Sequence, residues 1–138
     1  MPDLVLHFEA QVVEDQRLLN GARYLAIEGE AEHEGTPWTL TLSFERPKGA
    51  DSPIEEGDLT LAAPTGALFA GLESGGTDMV FDEAAGAERD VYELVFRVNG
   101  GDDQFQDWQG QIGIRAELDG VDASITVALR AAAAPANS

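Results

Sequence analysis

The run WTLTLSFE, residues 38 to 45, sets Trp38, Leu40, Leu42 and Phe44 against Thr39, Thr41, Ser43 and Glu45 in strict alternation. A period of two places one set on each face of a half-buried strand. The preceding stretch, Leu25 to His33, alternates in the same way, with Leu25, Ile27, Gly29 and Ala31 opposed to Ala26, Glu28, Glu30 and Glu32. Joined by a two-residue turn at Glu34-Gly35, the two runs pair His33 with Thr36, Ala31 with Trp38, Gly29 with Leu40, Ile27 with Leu42 and Leu25 with Phe44. A slip of one residue would set glutamates beside Trp38 and Leu40, so hydrophobic pattern and turn chemistry specify one hairpin.

A second hairpin signal is Asp119-Gly120, between Ile112 to Leu118 and Val121 to Leu129. A two-residue turn there pairs Leu118 with Val121, Ala116 with Ala123, Ile114 with Ile125 and Ile112 with Val127. It also sets Glu117 opposite Asp122 on the outer face, a mildly destabilising like-charge pair, with Arg115 on the diagonal. Further strands are expected at Leu4 to Val13, Gly57 to Ala63, Ala67 to Leu72, Met79 to Phe81 and Val91 to Val98. Glycine and proline punctuate them at Asn20-Gly21, Pro47 to Pro53, Pro64 to Gly66, Gly75-Gly76 and Gly100-Gly101. The expected fold is all-β: a single antiparallel barrel of eight or nine strands over residues 1–130, with a β-sandwich as the alternative. One helical turn is expected within residues 82–90, and a flexible tail over 131–138.

With 138 residues the chain is sized for one domain. The absence of cysteine excludes disulfide scaffolds, thiolate metal sites and cysteine nucleophiles. The opening MPDLVLHFEAQ has the pattern of neither a signal peptide nor a membrane span, which predicts a cytoplasmic address and no membrane partner. Acidic residues outnumber basic ones 26 to 8, for a formal net charge of -18, with Lys48 the single lysine. Such a surface repels nucleic acid and anionic lipid. Adaptation to high salt, a face for a basic partner and plain solubility all fit, and the spread of acids from Asp3 to Asp122 favours a whole-surface property over a docking tail.

No catalytic or cofactor motif stands out, and no cofactor is expected. His7 lies on the polar face of its strand and His33 begins a turn, and neither has the helical two-histidine spacing of a zinc hydrolase. Ser43, Ser52, Ser74, Ser124 and Ser138 lack a nucleophile elbow. GLESGG, residues 71 to 76, has no lysine after it and carries Glu73 where a phosphate would sit, so it reads as a flexible turn. Asn99, Asp102, Asp103 and Asp107 offer oxygen ligands, but not at the spacing of a calcium loop, and no metal site is assigned. Trp38, Phe44, Tyr92 and Phe96 share inward faces and Trp108 guards the start of the penultimate strand. In a small barrel such residues either fill the interior or line a ligand cavity.

NGGDDQFQDWQGQIGIRAELDG, residues 99 to 120, resembles a late strand-turn-strand segment of the allene oxide cyclase-like barrels. In that family a glycine pair, a polar step, a phenylalanine and a residue before glycine lead into the next strand, and here these are Gly100, Gly101, Phe105, Trp108 and Gly110. Asp102 and Asp103 replace the usual Gly-Thr-Gly step, and Trp108 stands where a small aliphatic residue is commoner. The resemblance implies a small antiparallel barrel, often oligomeric, in a group that includes plant cyclases and bacterial polyketide cyclases. It places no catalytic residue on this chain. Three functions follow as expectations: a barrel holding a small apolar molecule against Trp38, Phe44, Tyr92, Phe96 and Trp108; a cyclase or isomerase that folds its substrate by confinement; and an acidic interaction module without a pocket.

Overall fold

The computed structural model describes residues 4–19, 21–47, 53–82, 87–102, 105–119 and 121–133. Eight antiparallel strands close into one barrel: β1 (Leu4–Arg17), β2 (Arg23–His33), β3 (Thr36–Arg46), β4 (Gly57–Ala63), β5 (Gly66–Asp82), β6 (Ala87–Gly101), β7 (Trp108–Asp119) and β8 (Asp122–Ala133). Each strand pairs with the next, and β8 returns to β1 through pairs such as Phe8 with Ile125. Closure leaves the sheet without a free lateral edge and sends every inward residue to one core.

The β2–β3 hairpin has the expected register throughout, from His33 with Thr36 to Leu25 with Phe44. Its turn residues Glu34 and Gly35 both take positive φ, at 51° and 80°, the conformation that matches the twist of a two-residue hairpin. The β7–β8 hairpin keeps the expected faces in a different register. Leu118 meets Ala123, Ala116 meets Ile125, Ile114 meets Val127 and Ile112 meets Leu129, with Asp119 opposite Asp122. The two registers differ by an even step, so both bury the same residues, and hydrophobic alternation cannot separate them. Along its other edge β8 pairs at the same time with β1, Phe8 meeting Ile125. Glu117 faces Ser124 and not Asp122, and Arg115 bonds Glu93 across the strands, at 3.0 Å, instead of relieving Asp122.

The segment expected to break at GLESGG continues as strand. β5 absorbs an irregularity between Leu72 and Ser74 and runs on through Gly75 and Gly76 against β6, so the runs at 67–72 and 79–81 are one strand and the count is eight. A bulge lets the chain gain a residue without losing its ladder. Of the stretch 82–90, where one helical turn is expected, Asp82 ends β5 and Ala87 to Asp90 open β6, with Asp82 paired to Ala87, while residues 83–86 lie outside the described ones. β8 extends through Arg130 to Ala133, which pairs with Trp108.

Inward residues from all eight strands form one core, including Phe8, Ile27, Leu42, Leu61, Leu68, Phe96, Ile112 and Ile125, each at most 1% exposed. The barrel has two ends. One carries the turns at 33–36 and 63–66 and the connection from β6 to β7; the other carries the connections that follow β1, β3, β5 and β7.

Candidate functional site

The five aromatic residues expected to line a lumen fall into separate groups. Phe44 and Tyr92 meet near the second end, ring centroids 4.9 Å apart, with the Arg46 guanidinium 5.9 Å from the Tyr92 ring. Phe96 is fully buried, beside Leu72 on β5 and Ile112 on β7. Trp38 and Trp108 lie at the first end, and the ring that joins them is Phe105. Its centroid is 5.9 Å from Trp38 and 4.9 Å from Trp108, the latter edge to face at 81°. Such tilted pairs bring the positive edge of one ring to the negative face of the other. Trp38 is 7% exposed and Phe105 2%, while Trp108 is half-buried.

Phe105 escapes a reading based on alternation because it belongs to no strand. It sits in the connection between β6 and β7, and among the described residues it is the one buried aromatic carried by a turn. Its signal in the sequence is the glycine pair just upstream. A Cβ on Gly101 would lie 2.4 Å from the Phe105 carbonyl oxygen and 3.0 Å from its Cβ, so only glycine lets the turn fold back this tightly.

Asp102 fastens the turn. Its backbone N–H donates to the Ala67 carbonyl at 3.0 Å, and its carboxylate Oδ1 accepts the Ala67 N–H at 2.6 Å. Its own carbonyl accepts the Phe105 N–H at 3.0 Å. A ring that has no strand of its own is thus tied to the first residues of β5. Asp102, weighed as a calcium ligand with Asn99, Asp103 and Asp107, has its carboxylate committed to a backbone amide; Asp103 lies outside the described residues.

The surroundings of the ring group are apolar. Apart from the hydroxyl of Tyr92 and the indole N–H of Trp38, the buried side chains among the described residues carry no polar group, and none of the described residues forms a cluster of metal-ligating groups. His7 is exposed, 3.2 Å from Thr126 Oγ1, and His33 sits beside its turn, as their positions predict.

Charge is organised differently on the two outer walls. Across β8, β1, β2 and β3 a groove of about 860 Å³ is lined by Glu9, Glu28, Glu30 and Asp122 with Gln11, Thr39 and Thr41, and Glu9 stands directly opposite Glu30. No described lysine or arginine lines it. Across β5, β6 and β7 the acids are bridged: Glu73 accepts from Arg97 at 2.6 Å and Gln111 at 2.9 Å, and Arg115 reaches Glu93 at 3.0 Å and Glu117 at 3.5 Å. A further groove of about 690 Å³ on that side is lined by Gly76, Val95, Gly113 and Ala128 together with Glu93, Arg115 and Arg130.

No helix among the described residues is long and apolar enough to cross a membrane. No protein family, curated protein or solved structure matches the chain, so its function is read from the geometry alone.

Proposed function

We propose that the barrel binds a small apolar molecule at its aromatic end, where the ligand takes the place of the Phe105 ring between Trp38 and Trp108. The observation that carries this reading is the placement of Phe105: the core closes there with a ring borne on a turn, while its two tryptophan walls are held by strands. Swinging that ring outward leaves an apolar space of aromatic size, and such spaces stay dry and accept benzene-like molecules. Trp38 and Trp108 touch the ligand; Phe44, Tyr92 and Phe96, packed deeper or at the opposite end, serve as core. Specificity then comes from shape and apolar contact, since no charged side chain is buried among the described residues and the indole N–H of Trp38 is the one polar group that the buried ring walls offer.

Both tryptophans of the chain lie in this group, so selectively excited tryptophan fluorescence reports on it alone. The test is titration with bromobenzene, a neutral probe whose bromine quenches indole emission on contact. Saturable quenching with a dissociation constant on the order of 0.1–1 mM is expected for so small a ligand. Quenching that rises linearly without saturation, as for free tryptophan, overturns the reading.

A further inference from the structure

We infer that Asp102 is a positioning residue that sets how readily the aromatic end opens, an inference that rests on the binding reading above. The ligand and the Phe105 ring compete for one space, so apparent affinity scales with the fraction of molecules in which the ring has left it. Nothing in a strand ladder holds that ring. Among the described residues, the hydrogen bonds that restrain it run through Asp102: the amide to the Ala67 carbonyl, the carboxylate to the Ala67 amide, and the carbonyl to the Phe105 amide. Two of the three use backbone atoms that any residue at the position possesses. The third is the carboxylate bond at 2.6 Å, which pairs a charged acceptor with a backbone donor and is the strongest kind of the three. Asp102 is not one of the paired rings, its carboxylate being bonded to the Ala67 amide, and it acts on binding through the balance between seated and displaced Phe105.

This makes an unusual demand on mutagenesis: removing a native interaction should improve binding. Asp102→Ala loses the carboxylate bond and is expected to bind bromobenzene about tenfold more tightly than the native chain, the size of shift that one charge-assisted hydrogen bond supports. Asp102→Asn keeps an oxygen acceptor at the same reach but without the charge, and should fall between the native chain and Asp102→Ala. A purely structural role for Asp102 would lower stability, most in Asp102→Ala, without raising affinity in either variant. Acrylamide quenching of Trp38 and Trp108 without bromobenzene reads the latch independently of any ligand, and greater access in Asp102→Ala than in Asp102→Asn is expected.

Equal or weaker bromobenzene affinity in Asp102→Ala, together with unchanged acrylamide access, overturns the latch. If no form shows saturable bromobenzene quenching, the binding reading fails, and acrylamide access alone then decides for or against the latch. Should Asp102→Ala give no cooperative urea transition, Asp102→Ser, whose side chain stops short of the Ala67 amide, is measured in its place.

Discussion

At one end of the barrel a phenylalanine from a connecting turn fills the space between Trp38 and Trp108; at the other, Ile54 from the connection after β3 is buried over Gly75. The two closures differ in what ties them down. Ile54 donates its backbone N–H to the Gly75 carbonyl at 2.9 Å, and the Glu45 N–H donates to the Glu56 carbonyl at 3.1 Å, so its segment is bound at both flanks by backbone atoms. Gly75 makes room for it: a Cβ there would come within 3.2 Å of the Ile54 Cβ and 2.6 Å of Leu94 Cδ2. Phe105 depends in part on one side chain, that of Asp102. Backbone fastening survives side-chain substitution, whereas a carboxylate can be removed, so among the described contacts the two closures differ in whether a side chain fastens them.

The comparison breaks first at the two plugs. Ile54→Ala and Phe105→Ala should each lower the free energy of unfolding by about 3 kcal/mol, measured by urea denaturation, because each deletes a buried side chain. They should diverge in binding: bromobenzene should quench Phe105→Ala more tightly than the native chain, and Ile54→Ala no more tightly. Equal gains would mean that the ends are equivalent.

The glycines beneath the plugs sharpen the contrast. In Gly101→Ala the new methyl meets backbone atoms of Phe105, which cannot step aside without moving the turn, and a loss of about 2 kcal/mol with exposed tryptophans is expected. In Gly75→Ala the nearest atom is the end of a flexible leucine, so the loss should be nearer 1 kcal/mol, with tryptophan emission unchanged. Near-equal losses and equal emission shifts would show that Phe105 is no more tightly constrained than Ile54.

Most of the architecture was legible in the chain. Alternation and turn chemistry specified the β2–β3 hairpin to the residue, because its register is fixed by two independent signals that agree. The β7–β8 register was not legible, since an even slip leaves every apolar residue on the same face and alternation alone does not decide it. Gly75 and Gly76 read as punctuation because glycine is the residue of turns, yet in β5 it clears space for Ile54. The candidate site was legible by halves. Trp38 and Trp108 stand on or beside clear strands, but Phe105 obeys no period, and Asp102 owes its role to Ala67, thirty-five residues away in the chain.

The smallest effect concerns the outer walls. Glu9 and Glu30 oppose each other with no described cation lining their groove, whereas the acids across β5 to β7 are shared with Arg97 and Arg115. Glu30→Gln should therefore stabilise the chain by about 0.5 kcal/mol at low salt, an advantage lost in molar salt as screening shortens the reach of the repulsion. Glu93→Gln, which deserts Arg115, should give no such gain. A melting temperature of the native chain that is the same in low and molar salt would remove the repulsion from the account.

The most direct measurement is a crystal of the native protein soaked in bromobenzene, with the bromine located by its anomalous scattering. Bromine between Trp38 and Trp108, with the Phe105 ring displaced from its seat, is the predicted result. Bromine confined to the outer grooves, or Phe105 unmoved at saturating probe, contradicts it.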